Sequence, residues 1–376
     1  MPKTLTSAPD RRAVSPALAG PHGRPSPRFV ALAIAAAAMA LGLWTGLVRL
    51  GVPLPAGAYP PAELHSAFMI CGFLGTVISL ERAVAIGRWW AYGAPAAAAM
   101  GAIALALERG EVGAAAFVAA GAILVVTSAA VALRQFAMFV LVLIVGAASW
   151  TVGSALWLFG QSLPAVAGWW LNFLILTIAA ERLELSRLLR VSPAGQALFS
   201  AFALLLIAGA VRAELASSWA PLTGVGLIGL SGWLMHHDVA RRTVRLAGLP
   251  RFSALAILAG HLWLGVAGVL ILGHSMSEQA MLLYDAAVHA IAIGFVLSMI
   301  FGHAPIVLPA VTGLRVRFAA AGYVPLALLH LSVLARVFAD ALAWLDLRAA
   351  SGILTVVALA GYAITLIAAS LRPAHA

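Results

Sequence analysis

Charged side chains are scarce in this sequence. Asp, Glu, Lys and Arg make up 10% of the 376 residues, whereas hydrophobic residues make up 63%. A typical soluble domain carries roughly a quarter of its residues as charged side chains. The shortage therefore excludes an ordinary soluble globular protein and indicates a polytopic membrane protein.

Cysteine is rarer still, because Cys71 is the only one in the chain. A single cysteine excludes an intramolecular disulfide and the multi-cysteine sites that bind zinc or iron–sulfur clusters. Carboxylates are also few, so the formal net charge is +10. The basic residues are dispersed between apolar runs, which favours membrane topology as their cause. The bilayer is the predicted partner, and no nucleic-acid partner is expected.

Apolar runs dominate what remains. Each is about 20 residues long, enough to cross roughly 30 Å of hydrocarbon. We predict an all-α polytopic membrane protein with about twelve transmembrane helices, in which a polar N-terminal tail over residues 1–28 precedes one transmembrane domain over 29–371. The predicted spans are 29–48, 62–83, 91–107, 112–133, 136–158, 165–181, 196–212, 219–238, 252–273, 279–302, 318–337 and 351–370.

The basic residues also predict the orientation. If the N-terminus is cytoplasmic, most of the 23 Lys and Arg residues fall on the inner side. The positive-inside rule then places both termini in the cytoplasm. The basic residues left on the outer side are Arg49, Arg109, Arg212, Arg336 and Arg348.

A faint internal repeat is present at the inner helix ends. Glu81-Arg82 closes predicted helix 2, and Glu181-Arg182 closes helix 6 one hundred residues later. Helix 10 stands at the third position and ends at His303 instead. The spacing fits three arcs of four helices, although chance placement of two Glu-Arg pairs explains it equally well.

Histidines inside apolar helices are the candidate functional residues. A buried imidazole is costly in a membrane unless it has a partner, and histidine is the commonest metal ligand. Four lie in the middle or outer part of the membrane, which favours a haem or metal role for at least two. The alternative is hydrogen bonding across helices. These residues are His65, His261, His289 and His330.

Three further residues extend this set. His303 lies fourteen residues after His289, which is about 21 Å along a helix, so the two cannot bind one metal. Asp285 precedes His289 by one turn and could orient its ring, or could be a surface carboxylate. Arg336 could pair with haem propionates or mark topology.

Pro305 and Pro309 predict a non-helical stretch after His303.

Two segments resemble the NnrS family, twelve-helix bacterial membrane proteins linked to haem, copper and nitric oxide metabolism, which are distantly similar to subunit I of the haem–copper oxidases. In helix 2 the shared pattern is His-x-x-x-Met followed by Gly-Phe, and in helix 10 it is His, Gly, Met and Gly-His. The matching residues are His65, Met69, Gly72, Phe73, His289, Gly294, Met299, Gly302 and His303.

The resemblance implies a multi-pass protein of the bacterial inner membrane, with His65 and His289 as axial ligands of a haem. Copper is a further possible cofactor, and a small gas or an electron-transfer protein is a possible partner. From the residues alone, without a family motif, His261, His303 and His330 are candidate metal ligands. Predicted helices 6 and 7 contain no histidine, so the usual oxygen-reducing haem–copper centre is not expected. A cofactor-free secondary transporter and a haem or copper assembly factor are the alternatives.

Overall fold

The computed structural model describes residues 26–55, 60–186, 191–215, 220–274 and 280–371, and all regular secondary structure in these ranges is helical. The predicted polar tail lies almost wholly outside them. The principal helices are α1 (Pro27–Arg49), α2 (Ala67–Ile86), α3 (Gly93–Ala106), α4 (Gly110–Ala132), α5 (Met138–Leu158), α6 (Leu163–Ser186), α7 (Pro193–Leu215), α8 (Ala220–His237), α9 (Leu249–His274), α10 (Ala280–Thr312), α11 (Tyr323–Ala341) and α12 (Leu345–Ser370).

The helices are built for lipid on their outer faces. Ten of the described helices are long and apolar enough to cross a membrane; α3 has 14 residues and α8 has 18. Large apolar side chains point outward, including Val126, Leu204 and Ile364, each at least 60% exposed. Such exposure is favourable in hydrocarbon and costly in water. The protein is therefore an all-helical polytopic membrane protein, as its composition predicts.

Each helix packs against its neighbours in sequence, and α1 also contacts α12. Helices α2, α6 and α10 contact one another in the interior. Helix α6 is the most enclosed of the three, since Trp170, Phe173 and Ala179 along its length are fully buried. Side chains projecting from these three helices therefore meet inside the protein.

Two of the central helices share an unusual backbone. In α2 the segment Ala67–Leu74 is π-helical, and it follows His65 after one intervening residue. In α10 the segment Ala290–Leu297 is π-helical, and it begins directly after His289. π-Helical turns are rare and occur frequently at functional sites. Both candidate axial histidines therefore stand at the start of a wide helical turn.

The expectation of a non-helical stretch after His303 is wrong. Helix α10 continues through Pro305 and Pro309 to Thr312. Proline has no N–H, so Pro305 leaves the carbonyl of Phe301 without its helical donor. The Tyr362 hydroxyl of α12 donates a hydrogen bond to that carbonyl. A tertiary contact therefore satisfies the group that the proline leaves unpaired.

This contact can be tested with Tyr362→Phe, which keeps the ring stacked on Phe301 but removes the donor. We expect the substitution to cost about 1–3 kcal/mol, because a buried carbonyl becomes unsatisfied. Adding Pro305→Ala should recover part of that loss by restoring the helical N–H. Thermal unfolding of the purified variants in detergent measures both effects, and strictly additive losses would contradict the explanation.

Candidate functional site

His65 lies just before the π-helical segment of α2, with its ring against α1. Its Nδ1 is 2.6 Å from the carbonyl oxygen of Gly42. A carbonyl only accepts hydrogen bonds, so Nδ1 carries the hydrogen and Nε2 keeps a lone pair. Gly46 allows the ring to approach, since a Cβ at that position would be 2.8 Å from the His65 ring.

His289 of α10 has the same arrangement. Its Nδ1 is 2.8 Å from the backbone carbonyl oxygen of Asp285, one turn earlier. The Asp285 carboxylate is further away, with Oδ2 3.5 Å from the same nitrogen. The carbonyl rather than the carboxylate therefore orients this ring, and Nε2 again keeps a lone pair.

The structure brings the two rings together. Their centroids are 6.4 Å apart and their planes differ by 16°. Among the described residues, no hydrogen bond engages Nε2 of His65 or His289. A metal bound to one nitrogen of each ring at roughly 2 Å would hold the centroids about 6 Å apart. The spacing of the ring centroids therefore fits one metal held between two histidines.

Four charged residues beside His289 form an alternating network across three helices. Asp285 of α10 accepts hydrogen bonds from Arg336 of α11 and from Nη2 of Arg348 of α12, the latter at 2.8 Å. Asp340 of α11 pairs with Nε of Arg336 at 2.9 Å and with Nε of Arg348 at 2.7 Å. Two carboxylates thus balance two guanidinium groups, and the network joins α10, α11 and α12.

A second polar group lies at the opposite ends of the central helices. Arg82 of α2 donates to the carboxylate of Glu181 of α6. The neighbouring Arg182, which is 5% exposed, has Nη2 2.7 Å from Nε2 of His303 in α10. The residues of the faint repeat therefore contact one another across α2, α6 and α10. Metal binding by His303 through Nε2 would require Arg182 to move away.

His261 of α9 belongs to the same end of the molecule. Its Nε2 is 3.1 Å from Oδ2 of Asp238, which lies just after α8. The other ring nitrogen, Nδ1, is buried and has no hydrogen-bond partner in the described chain. No set of three or more His, Cys, Asp or Glu suited to a metal ion occurs among the described residues. His261 is therefore a carboxylate-paired histidine with one free lone pair.

His330 of α11 uses both ring nitrogens within the protein. The Trp263 indole N–H donates to Nδ1 at 3.0 Å, so Nε2 carries the hydrogen and faces the Ser298 hydroxyl at 3.3 Å. Ser298 in turn donates to the carbonyl of Ala256 at 2.7 Å. These hydrogen bonds leave His330 without a free lone pair for a metal. It lies apart from the two facing histidines and ties α9, α10 and α11 together.

Sequence reasoning missed four residues that shape the surroundings of the candidate histidines. Asp340 follows Arg336 by four residues, a spacing that pairs side chains on a helix, so this contact could have been found. Nothing local in the sequence signals Arg348, Gly46 or Asp238, because each acts on a residue of another helix.

The comparisons with known proteins concern the whole transmembrane region. Residues 28–371 match a family model described as a domain of unknown function, DUF8744. The chain belongs to this family. None of the curated proteins and no solved structure matches the chain. The family therefore covers both the facing histidines and the two polar groups, and the chemistry of the site has to be argued from its own residues.

The charge balance beside His289 can be tested with Asp340→Asn. Arg336 and Arg348 would then share Asp285 alone, and an uncompensated buried charge costs about 3–5 kcal/mol. Adding Arg348→Gln should recover part of the loss, since one carboxylate would again face one guanidinium group. Thermal unfolding in detergent measures these effects. The matched control is Asp346→Asn, which removes an exposed carboxylate of α12, and an equal loss there would contradict the assignment.

Proposed function

We propose that this protein is a haem-binding protein of the bacterial inner membrane that acts in redox or nitric-oxide-related chemistry, with His65 and His289 as the two axial ligands. One observation carries the proposal. Two histidines from separate central helices face each other at 6.4 Å, and each donates Nδ1–H to a backbone carbonyl. Both Nε2 lone pairs are thereby available for iron.

The residues around the two histidines support this role. Metal-bound histidines usually donate their second ring N–H to a carbonyl or carboxylate, which fixes the tautomer and the ring orientation. The carbonyls of Gly42 and Asp285 accept these hydrogen bonds here. Gly46 supplies the space beside the His65 ring. A haem held by both histidines would supply one-electron chemistry, whereas a haem held by only one of them would keep an open position for a small gas.

The charged network holds the His289 side of the site in place. Asp285 provides the carbonyl that orients His289, and its carboxylate is held by Arg336 and Arg348. The backbone position of the orienting carbonyl is therefore tied to α11 and α12. Arg336 is the candidate partner for a haem propionate, and it would then be shared with the carboxylates it already contacts.

The membrane arrangement is part of the same proposal. Twelve spanning helices with both termini in the cytoplasm would place His65 and His289 toward the outer side. The interior contacts among α2, α6 and α10 support three arcs of four helices, with the second helix of each arc at the centre. The contacts Arg82–Glu181 and Arg182–His303 join equivalent ends of those helices. A relationship to the NnrS family would explain this organisation and the two histidine-containing segments.

A cofactor-free transporter is the second candidate, and the buried polar group at the other end of the central helices favours it. Arg82 pairs with Glu181, and Asp238 pairs with His261. Ionisable pairs inside membrane proteins commonly line ion or substrate pathways. Copper at His261 would need ligands from outside its present contacts. An assembly factor would use the same facing histidines, but it would bind haem or copper weakly, at less than one equivalent per chain.

Absorption spectroscopy with metal analysis tests the proposal. After expression with sufficient haem, we expect a Soret band with sharp reduced α and β bands and one iron per chain. His65→Gly or His289→Gly should each abolish the low-spin spectrum, and added imidazole should restore it by occupying the vacated ligand position. Protein that contains neither haem nor metal would support the transporter instead.

The matched control for these variants is His236→Gly, which removes an exposed histidine at the end of α8. It should retain the wild-type spectrum. Full haem loading in both His65→Gly and His289→Gly without imidazole would contradict the assignment of the axial ligands.

Gly46→Ala tests the placement of the His65 ring without removing the ligand. The added Cβ would approach the ring to 2.8 Å, so the ring must move and lose its hydrogen bond to Gly42. We expect reduced haem content or a change from a low-spin to a high-spin spectrum. Gly232→Ala in α8 is the control, because a Cβ there meets nothing within 4 Å. Identical spectra in both variants would argue against a constrained ring.

A further inference from the structure

A cavity of about 330 Å³ lies at the membrane edge where the chain leaves α8 and before it enters α9. Its volume falls at the lower end of the roughly 300–1,000 Å³ typical of small-molecule sites. The residues that line it are His236, Asp238, Arg241, Arg242 and Arg245. The cavity is therefore walled by basic side chains with one carboxylate among them.

The single carboxylate offsets the charge of at most one of the three arginines. Oδ1 of Asp238 accepts the backbone N–H of Ala240 at 2.8 Å, and Oδ2 is 3.1 Å from Nε2 of His261. Both oxygens are thus engaged within the protein, and Asp238 is 2% exposed. The positive charge of the arginines remains available to a ligand in the cavity.

The arginines themselves lack acidic partners. Arg241 donates to the backbone carbonyl of His236 at 2.7 Å, which holds it at the wall. Across the described part of the chain, Arg241, Arg242 and Arg245 form no ion pair with a carboxylate. All three are exposed. The positive-inside rule accounts for arginines at a membrane edge, but it does not require three of them to line one cavity.

The cavity is anchored to the helices on either side. The Trp233 indole N–H donates to the carbonyl of Gly195 at 2.7 Å, and His237 Nδ1 is 3.0 Å from the carbonyl of Trp233. The Asp238–His261 contact ties the same segment to α9. The backbone segment that carries the arginines is therefore fixed to α7 and α9 before any ligand binds, which lowers the entropic cost of binding.

We propose that this cavity binds a phosphate group through Arg241, Arg242 and Arg245. Guanidinium groups match phosphate oxygens in charge and in hydrogen-bond geometry, and basic pockets at the edge of transmembrane helices bind anionic lipid headgroups. The phosphate belongs either to the headgroup of an anionic lipid or to free phosphate from the aqueous side. The cavity is separate from the two facing histidines, so phosphate binding there does not depend on whether the protein binds haem.

The test uses the full-length protein purified in detergent. Bound phosphatidylglycerol is measured by native mass spectrometry during titration, with phosphatidylcholine as the neutral lipid and inorganic phosphate as the soluble probe. Each arginine near a membrane surface contributes roughly fivefold to the binding of anionic lipid. We therefore expect Arg242→Gln to weaken phosphatidylglycerol binding about fivefold, and the triple Arg241→Gln, Arg242→Gln, Arg245→Gln variant to weaken it about a hundredfold.

The outcomes separate the two sources of phosphate. Selective binding of phosphatidylglycerol that excess inorganic phosphate does not displace would support a lipid headgroup. Binding of inorganic phosphate that depends on the three arginines and displaces the lipid would support a soluble phosphate ligand.

Arg134→Gln is the matched control, because Arg134 is exposed and lies outside the cavity. The Arg242 side chain makes no hydrogen bond in the described structure, and its backbone hydrogen bonds do not depend on the side chain, so its substitution should leave the fold intact. The proposal is overturned if the triple variant binds both probes as the wild type does. Equal loss in Arg134→Gln and Arg242→Gln would overturn it as well.

Discussion

The structure depends on one constraint: a polar group inside the membrane has no water to bond, so the protein must supply its partner. The carbonyl of Phe301 receives a tyrosine hydroxyl, and buried carboxylates pair with arginines or histidines. His330 uses both ring nitrogens in the same way. Against this background, the nitrogens without a partner in the described chain include Nε2 of His65, Nε2 of His289 and the buried Nδ1 of His261. Ionisable groups at this depth are functional-site candidates.

The polar groups are divided between the two ends of the bundle. At one end, the network of Asp285, Arg336, Asp340 and Arg348 ties α10 to α11 and α12. At the other, contacts through Arg82, Glu181, Arg182 and His303 tie α2, α6 and α10 together. Helix α10 takes part at both ends. His289 is therefore carried by a helix that charged contacts fix at both of its ends. A preorganised ligand site needs such rigid support.

Hydropathy alone predicts most of the fold, because each span needs a long apolar run and the sequence has one near every observed helix. It fails where a distant residue changes the local outcome. The proline rule predicts an interruption at Pro305, and the tyrosine that satisfies Phe301 lies 61 residues from it. The same holds for the candidate site. The resemblance to the NnrS family predicts that His65 and His289 meet. Asp238 as the partner of His261 could not be predicted, since no spacing rule joins residues of different helices and no family motif covers this pair.

The π-helical segments offer a reason for the position of the two histidines. A wide turn places an additional residue in the helix, and each residue rotates the helical face by roughly 100°. The parts of α2 and α10 that follow His65 and His289 are therefore turned relative to the histidines. Both helices can keep their packing against α6 while the histidines face each other instead of α6. The same backbone departure at both histidines thus reconciles the packing of two helices against α6 with a pair of histidines turned toward each other, the arrangement on which the proposed shared ligand depends.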